Sequence, residues 1–290
     1  MNFNLSNIIT GEKIQSLADI CLIDDYNPNA NKFCKNSIKI LNGKTKGNFI
    51  QLTEQQLNFL DKKIIYLPTH FLPYFFDNIF PFISNCELIT HNSDHGILDH
   101  HSEKVNKQIL NGLNSNKIKK WYSQNVTIYH QKLITLPIGI ANSMWPHGNL
   151  ELLKNIMDMK LERNKLYYFN FSINTRPDRR KPIYEQCIKN GLKFSPKTNQ
   201  KEYLINLKQS KYCICPPGNG YDCHRIWECI YLGCIPILPD ISAYQTFKNL
   251  PILFIKSWDI VTENFLEKSH KIGNNLEYSN FKYYQKLIQG

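Results

Sequence analysis

The stretch CPPGNGYDCHRIWECIYLGCIPILPD, residues 215–240, sets a proline–glycine turn ahead of a short helical pattern that carries a histidine, an arginine and a glutamate. On a helical wheel of about 100° per residue, His224, Arg225 and Glu228 share one arc, and Cys223, Ile226, Trp227 and Ile230 take the other. Such a helix is expected to bury one face and gather its ionisable groups on the opposite one. Gly218 and Gly220, with Asn219 between them, let backbone approach a ligand closely, and Asp222 can cap the helix that follows. A helix start behind a glycine turn offers unpaired N–H groups and a positive dipole end, which suit an anion such as a diphosphate. His224 and Arg225 add charge to the same place, and Glu228, one turn deeper, can accept from ribose hydroxyls. The competing reading is a capped surface helix with ordinary polar residues. The pattern is neither GxxxxGK nor GxGxxG.

A second group is FNFSINTRPDRRK, which puts Asn174, Arg176, Arg179 and Arg180 in an expected basic loop after a strand. The chain has five arginines, Arg163, Arg176, Arg179, Arg180 and Arg225, all in its second half, and uses lysine for every other fixed positive charge. Arginine is the side chain whose planar fork fits phosphate or carboxylate. Guanidinium groups can hold the oxygens of a diphosphate. No D-x-D motif occurs; Asp24 and Asp25 are adjacent. A solvated basic loop is the competing reading.

A third group is THNSDHGILDHH, residues 90–101. The loop offers candidates for a general base: Asp94 first, with His91 and His95 as alternatives. The same histidines and aspartates could hold zinc, or form a polar surface loop. The cysteines at 213, 215, 223, 229 and 234 alternate with Ile and Tyr and read as small buried hydrophobes rather than metal ligands. Trp145, in NSMWPHG, is the aromatic best placed to stack on a ligand ring.

These groups need elements to hold them. At 290 residues, 42% hydrophobic and 20% charged, the chain can bury two cores. Apolar runs at ADICLID, NFIQL, KIIYLPTH, CELIT, VTIYH and LITLPIG alternate with helical stretches, including TEQQLNFLD behind the N-cap candidate Thr53. A long amphipathic helix is expected over 149–165. A second alternation follows: strands at KLYYFNFSI, KFSP, YCICPP, CIPILP and PILFIKSW, with helices between them and at the end. This is the pattern of two Rossmann-like α/β domains with parallel sheets, expected at 1–150 and 151–290, with the terminal helix free to cross back to the first.

The net charge of +11 is uneven: 14 Lys and Arg against 11 Asp and Glu over 1–150, and 21 against 13 over 151–290. A basic, aromatic chain is compatible with nucleic-acid binding, but the charge gathers in a loop set and no nucleic-acid module is present, so no nucleic-acid partner is expected. The first residues carry no basic-then-apolar leader and no apolar run is long enough for a membrane span, which makes reduced cysteines and a cytoplasmic location the expectation.

The block PPGNGYDCHRIWECIYLGCIPIL resembles the signature of exostosin-like glycosyltransferases, including compact members from large viruses and bacteria. YFNFSINTRPDRR, IYLPTHFLPYFF, LITHNSDHGI and WYSQNVTIYHQKLITLPIGI resemble further segments of the same family, so that about two thirds of the chain is covered. The resemblance implies a GT-B fold, two Rossmann-like domains with parallel sheets facing a central cleft, the acceptor on the first and the nucleotide-sugar donor on the second. It also implies an inverting transfer without a metal or other cofactor, from a nucleotide-diphosphate sugar, with UDP the preferred nucleotide, to a glycan or glycoconjugate hydroxyl. A non-catalytic nucleotide-sugar binder and a basic nucleic-acid-binding protein are the alternatives.

Overall fold

The computed structural model describes residues 4–24, 30–42, 48–99, 101–269 and 272–290; Asp25 and His100 lie outside the described residues. The chain divides into two compact units. The N-terminal unit is Thr10–Ile138 with Tyr284–Gly290, and the C-terminal unit is Met1–Ile9 with Gly139–Tyr283.

In the N-terminal unit the elements run α1 (Gly11–Gln15), β1 (Ile20–Ile23), β2 (Ser37–Lys39), α2 (Glu54–Leu60), β3 (Ile64–Pro68), α3 (Leu72–Asn78), β4 (Cys86–His91), α4 (Glu103–Asn114), β5 (Ile118–Ser123) and β6 (Leu133–Thr135). The six strands form one parallel sheet in the order β2-β1-β3-β4-β5-β6. Strand β1 pairs with both β2 and β3, so the order reverses there, and parallel sheets bind ligands beyond the carboxyl ends of strands at such points. Thr53 caps α2 as expected, in a reciprocal bond with Gln56. The aromatic run from Leu72 on becomes α3, whose Tyr74, Phe75 and Phe76 are buried, Phe76 lying 6.1 Å from the Trp121 ring of β5.

In the C-terminal unit come α5 (Leu150–Asp158), β7 (Lys165–Tyr168), α6 (Pro177–Lys189), α7 (Gln200–Gln209), β8 (Ser210–Ile214), α8 (His224–Leu232), β9 (Ile235–Pro239), β10 (Leu253–Ile255) and α9 (Glu263–Lys268); the last helix, α10 (Phe281–Gln289), starts in this unit and belongs from Tyr284 on to the N-terminal one. The four strands are parallel in the order β10-β9-β8-β7, around a core that includes Phe169, Tyr212, Ile214, Ile237 and Leu253. Two α/β units on parallel sheets are the fold class that the sequence pattern implies.

Several element assignments change. NFIQL is not a strand: Phe49 makes a single antiparallel bridge with Leu41, and the second strand is β2, in NSIKI. VTIYH is not a strand either; β5 lies earlier, where Lys119 and Lys120 are exposed and Trp121, Tyr122 and Ser123 are buried. KFSP is not a strand: it is tied by Ser195 N to Phe169 O at 2.7 Å, by Asn170 Nδ2 to Ser195 O at 2.5 Å and by Lys193 N to Tyr167 Oη at 3.0 Å; the helix begun near 149 stops at Asp158. The basic segment is not a loop throughout. Pro177, well placed at a helix start, opens α6, which puts Arg179 and Arg180 in its first turn.

Gly139 has φ +68°, and a Cβ there would lie 2.3 Å from the Ile9 carbonyl oxygen, which itself accepts from Ile140 N at 2.8 Å. Gly139→Ala is expected to cost roughly 2 kcal/mol or more. Thermal unfolding checks this: Tm should fall by several degrees, and an unchanged Tm refutes the clash.

Candidate active site

Strand β8 runs into Cys215, Pro216 and Pro217, and two consecutive residues without an N–H end the ladder. The chain then turns on itself: Gly218 N donates to Gly220 O at 3.0 Å. Arg180 fixes this turn from α6. Its Nε donates to Pro217 O and its Nη1 to Ser172 O, both at 2.9 Å. A Cβ on Gly218 would stand 3.1 Å from Arg180 Nη2 and 3.2 Å from Cys223 Sγ, so the glycine makes room for the clamp. The 176–180 segment and the glycine turn therefore lie side by side.

Arg179 lies beside that clamp, its guanidinium 4.6 Å from the centre of the Tyr221 ring. Its Nη1 is buried without a hydrogen-bond acceptor. A buried guanidinium nitrogen in that state is costly unless an anion completes it. Arg176, by contrast, spends its Nε on both carboxylate oxygens of Asp178, at 3.0 and 3.1 Å. Asn174 is exposed and lines a cavity of about 700 Å³ together with Asn170, Phe171, Phe194, Ser195 and Lys197.

Helix α8 does not present a polar face to solvent. Residues 226–232 are all buried, because α7 covers the side that carries Glu228 and Phe247 packs edge-on against Trp227 at 5.3 Å. Glu228 accepts from Tyr203 Oη of α7 at 2.6 Å and from Gln200 Nε2 at 3.5 Å. Burial pushes its carboxyl above the usual range, and the Tyr203 bond and the Arg225 charge pull it partly back. Arg225 donates through Nη1 to the Asn170 carbonyl and lies 5.2 Å from the Tyr203 ring centre. His224 places Nδ1 2.8 Å from Gly139 O; a carbonyl only accepts, so Nδ1 carries the proton. Its ring lies 5.9 Å from that of His147, which in turn stacks on Trp145. Asp222 is not the cap. The N-cap is Cys223 and has no side-chain capping bond, while the buried Asp222 accepts from Trp227 Nε1 at 2.8 Å.

In the N-terminal unit Asp94 is exposed, just beyond the carboxyl end of β4. The loop that carries it is pinned through Ser93. Its Oγ accepts from His95 N at 3.2 Å and meets His70 Nδ1 at 3.2 Å, and its carbonyl accepts from Gln124 Nε2. His91 is a core residue, fully buried, with Nε2 donating to Pro137 O at 2.9 Å, and is therefore removed as an alternative base. Burial and the neighbouring His95 hold His70 below the usual imidazole value.

The structure thus brings Gly218, Gly220, Arg179 and Arg180 together and sets Asn174 on the adjoining cavity. It places Arg225 and Glu228 in a buried network with Tyr203, Gln200 and Asn170, partners that sequence reasoning missed. The available signal was the inward spacing of Tyr203, Leu204 and Leu207 on α7.

Residues 88–247, more than half of the chain, match the profile of the exostosin GT47 domain. The chain belongs to the exostosin GT47 family. It is similar to the "Probable xyloglucan galactosyltransferase GT20" of Arabidopsis thaliana, with 32% identity over 104 residues, covering 32% of this chain and 18% of that protein. It is also similar to "Ribitol-5-phosphate xylosyltransferase 1" of Homo sapiens, with 31% identity over 74 residues, covering 20% of this chain and 17% of that one. The aligned part is thus under a fifth of either relative. The GT47 match takes in β4 and the Asp94 loop as well as the glycine turn and α8.

The raised carboxyl of Glu228 gives a pH signature. The folded state holds this proton more tightly than the unfolded chain, whose value is about 4.3. Glu228 therefore contributes its full stability below that value and loses it as pH rises through the folded value. Glu228→Gln keeps an acceptor for Tyr203 and removes the titration. Tm measured against pH should fall less steeply above about pH 4.3 in the variant than in the wild type; parallel curves would show that Glu228 does not titrate as its burial demands.

Proposed function

We propose that this GT47 chain is a glycosyltransferase of GT-B type. In this reading it moves a sugar from a nucleotide-diphosphate donor, a UDP-sugar, to a saccharide hydroxyl, with inversion and without a metal at the phosphates. The observation that carries this reading is the buried, acceptor-less Nη1 of Arg179 beside the glycine turn and the start of α8. A diphosphate supplies the missing acceptor. The positive dipole end of α8 and the close backbone of the turn at Gly218, Asn219 and Gly220 favour the same anion.

In this reading Arg179 and the amides stabilise charge on the departing nucleotide. Arg176 joins them by exchanging Asp178 for a phosphate oxygen; both side chains are partly exposed and the pair costs little to break. His224, its tautomer set by Gly139, lies at the same helix start. The cavity at 170–174 and 194–197 takes the rest of the donor, with Asn174 at its edge. Glu228 and Arg225 shape the donor site through Tyr203 and Asn170, and Asp222 steadies α8 through Trp227; ribose contact by Glu228 requires Tyr203 to yield. Asp94 takes the proton of the acceptor hydroxyl as that oxygen attacks the anomeric carbon and the carbon–phosphate-oxygen bond breaks. The names of the two relatives, a galactosyl- and a xylosyltransferase, support the reaction class.

Calorimetric titration with UDP tests the donor site. Saturable binding is expected, and Arg179→Ala should weaken it by about tenfold or more. No binding at millimolar UDP would overturn the site. Asp94→Asn should lower turnover by about 10²- to 10⁴-fold with UDP affinity kept; undiminished turnover would remove Asp94 as the base.

A further inference from the structure

Outside the proposed donor site, three sulfurs converge. The Sγ atoms of Cys213, Cys215 and Cys229 all lie within 4.8 Å of one another, the one such three-ligand group among the described residues, and Cys215 and Cys229 are 3.9 Å apart. The fold explains the meeting. Cys213 and Cys215 alternate by two along an extended segment and so point to one face, and Cys229 faces them from α8. All three are buried. Three thiolates around one ion at about 2.3 Å stand about 3.8 to 4.0 Å apart, so the trio is close to that spacing already.

Charge points the same way. Arg225 sits four residues before Cys229 on α8, on the same helix face, and its field falls on all three sulfurs. Among the described residues no carboxylate lies within ion-pair distance of its guanidinium. Three thiolates and one divalent cation carry a net charge of −1, which a single buried guanidinium balances. A monovalent ion would leave −2. Thiolate donors select soft ions, and among the divalent ones Zn²⁺ needs no redox partner.

We propose that Cys213, Cys215 and Cys229 bind one Zn²⁺ ion as a structural trithiolate that fastens the end of β8 to α8. Three thiols lose their protons to solvent, three metal–sulfur bonds form, and nothing is oxidised. The ion takes no part in transfer. Its ligands are core side chains, not cavity-lining ones, so the site stands independently of the proposed reaction.

The test is elemental analysis of the full chain, produced with zinc in the medium and purified under reducing conditions. About one zinc per chain is expected, falling to less than about a tenth in Cys215→Ala and Cys229→Ala and unchanged in Cys187→Ala, which alters a buried cysteine of α6. Should the first two variants fail to fold, the wild type decides: Cd²⁺ added to the reduced, metal-free chain should give a sulfur-to-cadmium charge-transfer band at one equivalent and raise Tm. Absence of both zinc and the cadmium band overturns the proposal. So does zinc retained in both variants, or a Cys215–Cys229 disulfide found by peptide mapping.

Discussion

The clamp of Arg180 on two carbonyls is the contact on which the proposed donor site depends. Pro217 ends the segment after β8 and Ser172 lies in the segment after β7, and one guanidinium holds both at 2.9 Å. Neighbouring parallel strands bring such segments to the same edge of a sheet but do not fix their spacing. A planar fork with divergent donors does. A lysine in its place would offer a point charge and no angle between its bonds. With the turn fixed, Gly218 can pass close to the clamp, α8 starts at a defined place, and Arg179 stands one residue away.

The five arginines accordingly divide by task. Arg163 is a closing group for α8: its Nη2 donates to Leu232 O at 3.2 Å, next to Gly233, whose left-handed conformation ends the helix. Arg180 is a clamp and Arg225 a buried prop. Arg176 holds Asp178, and Arg179 keeps a buried nitrogen open. Scarcity of arginine in a lysine-rich chain was a sound guide to where fork geometry matters, though a fork serves carbonyl groups of the chain itself as well as ligands.

That distinction marks how far the sequence could be read. Strands β1, β3, β4 and β9 are apolar runs whose burial on both faces leaves a plain trace. Strand β5 was hidden because two exposed lysines precede its buried half, and NFIQL misled because apolar residues also line a loop that closes over the core. At the site, the glycine turn and the arginines were legible as residue types. Their partners were not. Tyr203 meets Glu228 across 25 residues, Asn170 meets Arg225 across 55, and a helical wheel describes only one helix's own surface. The wheel placed Glu228 correctly on one arc of α8 and misjudged what faces that arc.

Burying Arg225 and Glu228 has a cost that their shared partner Tyr203 offsets, with help from the Asn170 carbonyl and Gln200. Tyr203 gives its hydroxyl to the glutamate and its ring face to the arginine, so one side chain satisfies opposite charges through two chemically different surfaces. Removing Tyr203 would take a partner from both buried groups at once. Such a pair resists small displacements, which is what a helix start must do if its amides are to hold a fixed position toward a phosphate. Arg179 follows the same logic at the surface. Stacked on Tyr221, its guanidinium has already given up much of its freedom, and the ordering that an anion would otherwise impose is largely complete before one arrives.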